Sequence, residues 1–60
     1  MYLFVAHYIN IETDEIVSRK IEVEEQFFNN ERDIYLYAMG KAYDMMQDNE
    51  GFDNLEFVSC

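Results

Sequence analysis

The segment Glu31–Gln47, ERDIYLYAMGKAYDMMQ, is the longest stretch of the chain with a helical period, and the fold follows from how it must be covered. On a helical wheel, Ile34, Tyr35, Leu36, Ala38, Met39, Ala42, Tyr43, Met45 and Met46 gather on one side. Asp33, Lys41, Asp44, Gln47 and Asp48 gather on the other. The apolar arc spans about half the wheel, wider than the ~100° stripe that contact with one layer needs. Asn30 is placed as the N-cap, with Asp33 in a weak capping box and acidic residues in the first turn favoured by the helix dipole. Asp48 to Gly51 are expected to end the helix, with Gly51 in the left-handed conformation of a C-terminal cap. Gly40, between Ala38 and Ala42, marks a section where a neighbouring backbone can approach.

Upstream, Tyr2–Ile11 is β-branched and aromatic and reads as a strand that is apolar on both faces. Tyr2, Phe4, Ala6 and Tyr8 point one way, and Leu3, Val5, His7, Ile9 and Ile11 the other. A polar turn at Glu12–Glu15 leads into a second strand, Ile16–Glu24, whose Val17, Arg19, Ile21 and Val23 alternate with Ser18, Lys20, Glu22 and Glu24. A four-residue loop would pair Ile11 with Ile16 and Tyr8 with Arg19, but the turn does not fix the register. Phe27 and Phe28 are expected to close the core under the helix, although a helix start near Glu22 stays open. Residues 53–59 supply a third strand, with Leu55 and Phe57 on one face. The expectation is one α+β domain over residues 1–60, ββαβ, with a three-stranded antiparallel sheet in the order 2-1-3 and the helix, near 31–47, on one face.

A chain of 60 residues buries only about 60% of its unfolded surface, so it has little stability to spare. Cys60, the single cysteine, excludes an intrachain disulfide and any C-x-x-C zinc or redox motif, which points to a reducing, cytoplasmic compartment. Neither a signal peptide nor an apolar run of membrane-spanning length is visible. The formal net charge is −9, from 13 Asp and Glu against 4 Lys and Arg. Binding to nucleic acid or an anionic membrane relies on clustered cations, so both are disfavoured and the expected partner is a basic protein.

Catalytic signals are sparse. His7 is the only histidine, with no serine or cysteine near it in sequence, and it reads as structural rather than as a general base. The acidic tract from Asp44 to Glu56 fails the calcium-loop pattern, because the residue five before Gly51 is Met46. No metal ligands, cofactor motif or catalytic set is expected, and the chain is read as a non-enzyme.

Two functions fit this composition. The first is a small acidic binding protein that docks on a basic protein surface, as a DNA-mimic inhibitor of a nucleic-acid-binding partner would. Its expected contact residues are Glu22, Glu24, Asp44, Asp48, Glu50 and Asp53, with Tyr37 as an exposed aromatic anchor. The likeness to DNA mimics is one of charge and size, not of motif. The second is a self-associating scaffold whose acidity serves solubility. A homodimer is expected from surplus apolar surface, with Leu3, Val5, Ile9 and Ile11 on the helix-free face of the sheet and Leu36 and Tyr43 on the helix flanks.

Overall fold

Alternation along the first strand sends Phe4, Ala6 and Tyr8 towards the helix, and all three are buried in the computed structural model, which describes residues 1–59. The elements are β1 (Tyr2–Asn10), β2 (Ile16–Val23), a single 3₁₀ turn (Glu25–Phe27), α1 (Glu31–Asp44) and β3 (Glu50–Ser59). The sheet has the order β2-β1-β3, and β1 is antiparallel to both neighbours. This is the expected ββαβ arrangement, with the doubly apolar strand in the centre. Cys60 lies outside the described residues.

The core joins Phe4, Ala6 and Tyr8 of β1 to Ile21 and Val23 of β2 and to Ile34, Ala38 and Ala42 of α1. The helix therefore buries one residue per turn on a narrow stripe, not the broad arc that its composition suggested. Ala6, Ala38 and Ala42 are fully buried, so small side chains let the helix axis approach the sheet. Flanking rings complete the layer. Tyr35 meets Phe4 edge-on at 6.4 Å, and Tyr43 lies 4.9 Å from Phe52. The helix N-cap is Asn30, whose side chain accepts from the Asp33 amide at 2.9 Å.

Four local features depart from the sequence reading. The β1–β2 register is shifted by two residues: Ile9 pairs with Ile16 and Ala6 with Arg19. Asn10 causes this, because its Oδ1 accepts from the amides of Glu12 and Thr13 and starts the turn early, with Asp14 taking the left-handed conformation at φ 63°. Ile11 then leaves the hairpin ladder, and its amide donates to the carbonyl of Asn49 at 2.9 Å. A shift by two preserves which side chains face the core.

The helix stops at Asp44, and Gly51 is not its cap. Gly51 has no positive φ and lies in β3 opposite Ile9, so β3 begins three residues earlier than expected. Phe27, expected in the core, is 74% exposed, and Phe28 alone turns inward. Gly40 faces open space, with no neighbouring group against it among the described residues.

Candidate functional site: an acidic aromatic cleft

Several places among the described residues combine aromatic rings with carboxylates, and two of them, at opposite ends of the sheet, differ in whether a cation is already present. At the end of the sheet where β3 begins, Arg19 projects from β2 on the core side, as its alternation with Ile21 requires. Its guanidinium lies 4.7 Å from the centre of the Tyr8 ring, stacked for a cation–π contact. Nη1 and Nη2 donate to the two oxygens of Glu50 at 2.7 and 2.8 Å. The Gln47 amide donates to Glu50 Oε1 at 2.9 Å, and the Tyr8 hydroxyl donates to the Ala42 carbonyl near the end of α1.

These bonds set the titration of the group. Hydrogen bonding from Arg19, aided by the Gln47 amide, holds the Glu50 carboxyl below its ordinary range. The same bond raises Arg19. Burial pushes the Tyr8 hydroxyl upward, against the opposing effect of Arg19. Glu50 was expected on the acidic contact surface, but its side chain is only 5% exposed and both of its oxygens are engaged. Its carboxylate is thus bonded within the fold, to Arg19 and to the Gln47 amide.

At the opposite end, β2 runs directly into the 3₁₀ turn, with the Phe27 amide donating to the Glu24 carbonyl and the Phe28 amide to the Glu25 carbonyl. The tight turn puts Phe27 outside and Phe28 inside. Phe28 packs against Tyr37 of α1 with ring centres 5.2 Å apart. Glu22, Glu24, Phe27, Phe28 and Tyr37 thereby line one cleft of about 280 Å³. Three residues expected to bind a partner, Glu22, Glu24 and Tyr37, are brought together here. Among the described residues, no ion pair engages either Glu22 or Glu24.

The other acidic candidates do not join them. Asp44 ends α1, Asp48 lies in the following turn and Asp53 lies in β3, all exposed and all towards the Glu50 end of a molecule 39 Å long. The expected acidic surface is therefore two separate patches. On the far side of the helix N-terminus, Tyr2, Phe4, Glu31, Tyr35 and Phe57 line a second hollow of about 290 Å³. Its single carboxylate already accepts from the Tyr2 hydroxyl at 3.4 Å.

The residues proposed for self-association also lie on two surfaces. Leu3, Val5 and Ile9 are half-buried on the helix-free face, and Ile11, just beyond β1, is 64% exposed. Leu36 and Tyr43 are exposed on the helix side.

His7 acquires partners that its sequence neighbourhood did not offer. Its Nδ1 is 2.9 Å from Ser18 Oγ on β2, and its Nε2 is 2.9 Å from Glu56 Oε1 on β3. A neutral ring satisfies both bonds when Nε2 carries the proton, donating to Glu56 while Nδ1 accepts from the serine hydroxyl. The imidazole thus ties together all three strands on the helix-free face.

Among the described residues no group of His, Cys, Asp and Glu is arranged to hold a metal ion, and no helix is long and apolar enough to cross a membrane. The chain matches no family model, no curated protein and no solved structure.

Proposed function

We propose that this chain is a non-enzymatic acidic binding module that acts in the cytoplasm by docking on the basic surface of a protein partner. The carrying observation is the cleft at the end of β2, lined by Glu22, Glu24, Phe27, Phe28 and Tyr37, whose two glutamates have no ion-pair partner among the described residues. Charged groups kept unpaired at a concave, ring-lined surface suit a binding hot spot: the rings supply buried area, and the carboxylates supply steering and register. With a net charge of −9, the field around the chain attracts cationic surfaces and repels nucleic acid. Where the partner binds DNA or RNA, the module competes by offering carboxylates in place of phosphates.

A second reading, self-association as a scaffold, is supported by Leu3, Val5 and Ile9 on a sheet face that no helix covers. The two separate on one experiment. The tagged protein is used to capture partners from extract at low and high salt, and its own sedimentation is followed at micromolar concentration. Basic partners released by salt support the docking module. Self-association that persists or tightens with salt, without any basic partner, supports the scaffold and defeats the first reading.

A further inference from the structure

We infer that the hollow lined by Tyr2, Phe4, Glu31, Tyr35 and Phe57 is an aromatic cage for one trimethylated lysine side chain of the basic partner. This rests on the docking reading above and adds a contact that shares no residue with the cleft at the end of β2. Three elements bring the lining together. Tyr2 and Phe4 lie two apart on the core side of β1, and Phe57 of β3 is the cross-strand partner of Phe4. Glu31 and Tyr35 lie four apart on α1 and so are neighbours on its surface.

The contacts show these side chains turned towards one another. The buried Phe4 ring meets Phe57 at 5.6 Å and 64°, and Tyr35 at 6.4 Å and 65°. Tyr2 lies 5.7 Å from Phe57 with the rings inclined by 50°, and its hydroxyl donates to Glu31 Oε1 at 3.4 Å, which sets the carboxylate beside the rings. Rings from the sheet and the helix thus meet at steep angles around a space of about 290 Å³. Tyr35 and Phe57 are exposed, and no ion pair engages Glu31 among the described residues.

Charge and hydration agree on the occupant. Aromatic faces attract a cation held within about 6 Å of the ring centre. The lining offers one carboxylate, already accepting from Tyr2, and two phenol hydroxyls. A free lysine ammonium is strongly hydrated and carries three donors, so it would lose more hydrogen bonds on entry than this lining returns. A trimethylammonium head has no donor to satisfy, and its methyl groups pack on the rings. Glu31 and the net charge of −9 favour this cation over a neutral group of the same shape.

The test is a titration of the isotope-labelled protein with four ligands: a blocked Gly-trimethyllysine-Gly peptide, the same peptide with unmodified lysine, its neutral analogue with carbon in place of the quaternary nitrogen, and phosphocholine. The trimethyllysine peptide is expected to move the ring resonances of Tyr2, Tyr35 and Phe57, and its own N-methyl protons should shift upfield under the ring currents. It should bind several-fold more tightly than each of the other three, phosphocholine being weakened by repulsion of its phosphate. Tyr35→Leu, Phe57→Leu and Glu31→Gln should each weaken binding several-fold, with the amide spectrum of the fold retained.

Equal binding of the neutral analogue, equal binding of lysine, or shifts centred on Phe27, Phe28 and Tyr37 would overturn the inference. Tighter binding of phosphocholine than of the peptide would overturn its assignment to a protein partner. A polylysine chain added separately distinguishes failure of the cage from failure of the docking reading. If polylysine binds in a salt-sensitive way while the trimethyllysine peptide misses the hollow, the cage is wrong and the acidic module stands. If neither binds, both are wrong.

Discussion

The two ends of this small sheet use the same chemical groups to opposite effect. Where β3 begins, Arg19 saturates Glu50 and covers Tyr8, and the Gln47 amide and the Ala42 carbonyl are bonded into the same cluster. Where β2 ends, Glu22 and Glu24 have no ion-pair partner among the described residues, and Phe27 stands in solvent. A carboxylate beside an aromatic ring is thus not a functional signal by itself. What separates the fold-holding cluster from the proposed binding surface is whether the chain supplies its own cation.

The largest difference is expected from removing a ring at each end. Tyr8 is among the largest fully buried side chains, and Tyr8→Ala should cost about 3–5 kcal/mol, enough to leave a domain of this size largely unfolded. Phe27→Ala should change stability by no more than about 0.5 kcal/mol. Urea melts of both variants check the contrast. A smaller change, Tyr8→Phe, keeps the ring and removes the hydroxyl bonded to Ala42. It should cost about 1–3 kcal/mol, because a buried carbonyl loses its partner.

The Glu50 ion pair makes the contrast depend on pH. Its carboxyl titrates lower in the folded chain than in the unfolded one, so its contribution to stability is fully present above the unfolded carboxylate range. That contribution is lost as pH falls through the depressed folded value. The melting temperature of Glu50→Gln should therefore lie below wild type at neutral pH, and the gap should close in acid. Glu22→Gln with Glu24→Gln should show no such deficit at neutral pH, since neither carboxylate has an ion-pair partner among the described residues.

A modest effect, away from both ends, belongs to the turn. Asn10→Ala removes the acceptor for the amides of Glu12 and Thr13 and should cost about 1 kcal/mol, with weakened hydrogen-exchange protection confined to the loop from 11 to 15.

Element order, sheet order and helix cap were legible because each has a local cause: alternation in β1 and β2, a helical period from Glu31, and Asn30 before it. The hairpin register was not, because it depends on one side chain, Asn10, taking over the turn. With the expected pairing, His7 would have faced Lys20; the observed one puts it opposite Ser18. A two-residue shift leaves the core unchanged and replaces every neighbour on the open face.

The role of Glu50 was hidden for a different reason. Its arginine lies 31 residues away, and nothing near Glu50 in sequence announces it. In the cleft, Glu22, Glu24 and Tyr37 were legible as exposed groups. The outward turn of Phe27 was not, because a single 3₁₀ turn is too short to show a period.

The most direct test of the account compares equal losses of charge at the two ends. Calorimetric titration with a polyarginine peptide is run on the wild type, on Glu22→Gln with Glu24→Gln, and on Asp44→Asn with Asp48→Asn. Each variant removes two negative charges, so long-range attraction falls alike in both. The account predicts at least a tenfold loss of affinity for the first pair and only a few-fold loss for the second. Equal losses for the two pairs would contradict it, because binding would then follow net charge and not a built cleft.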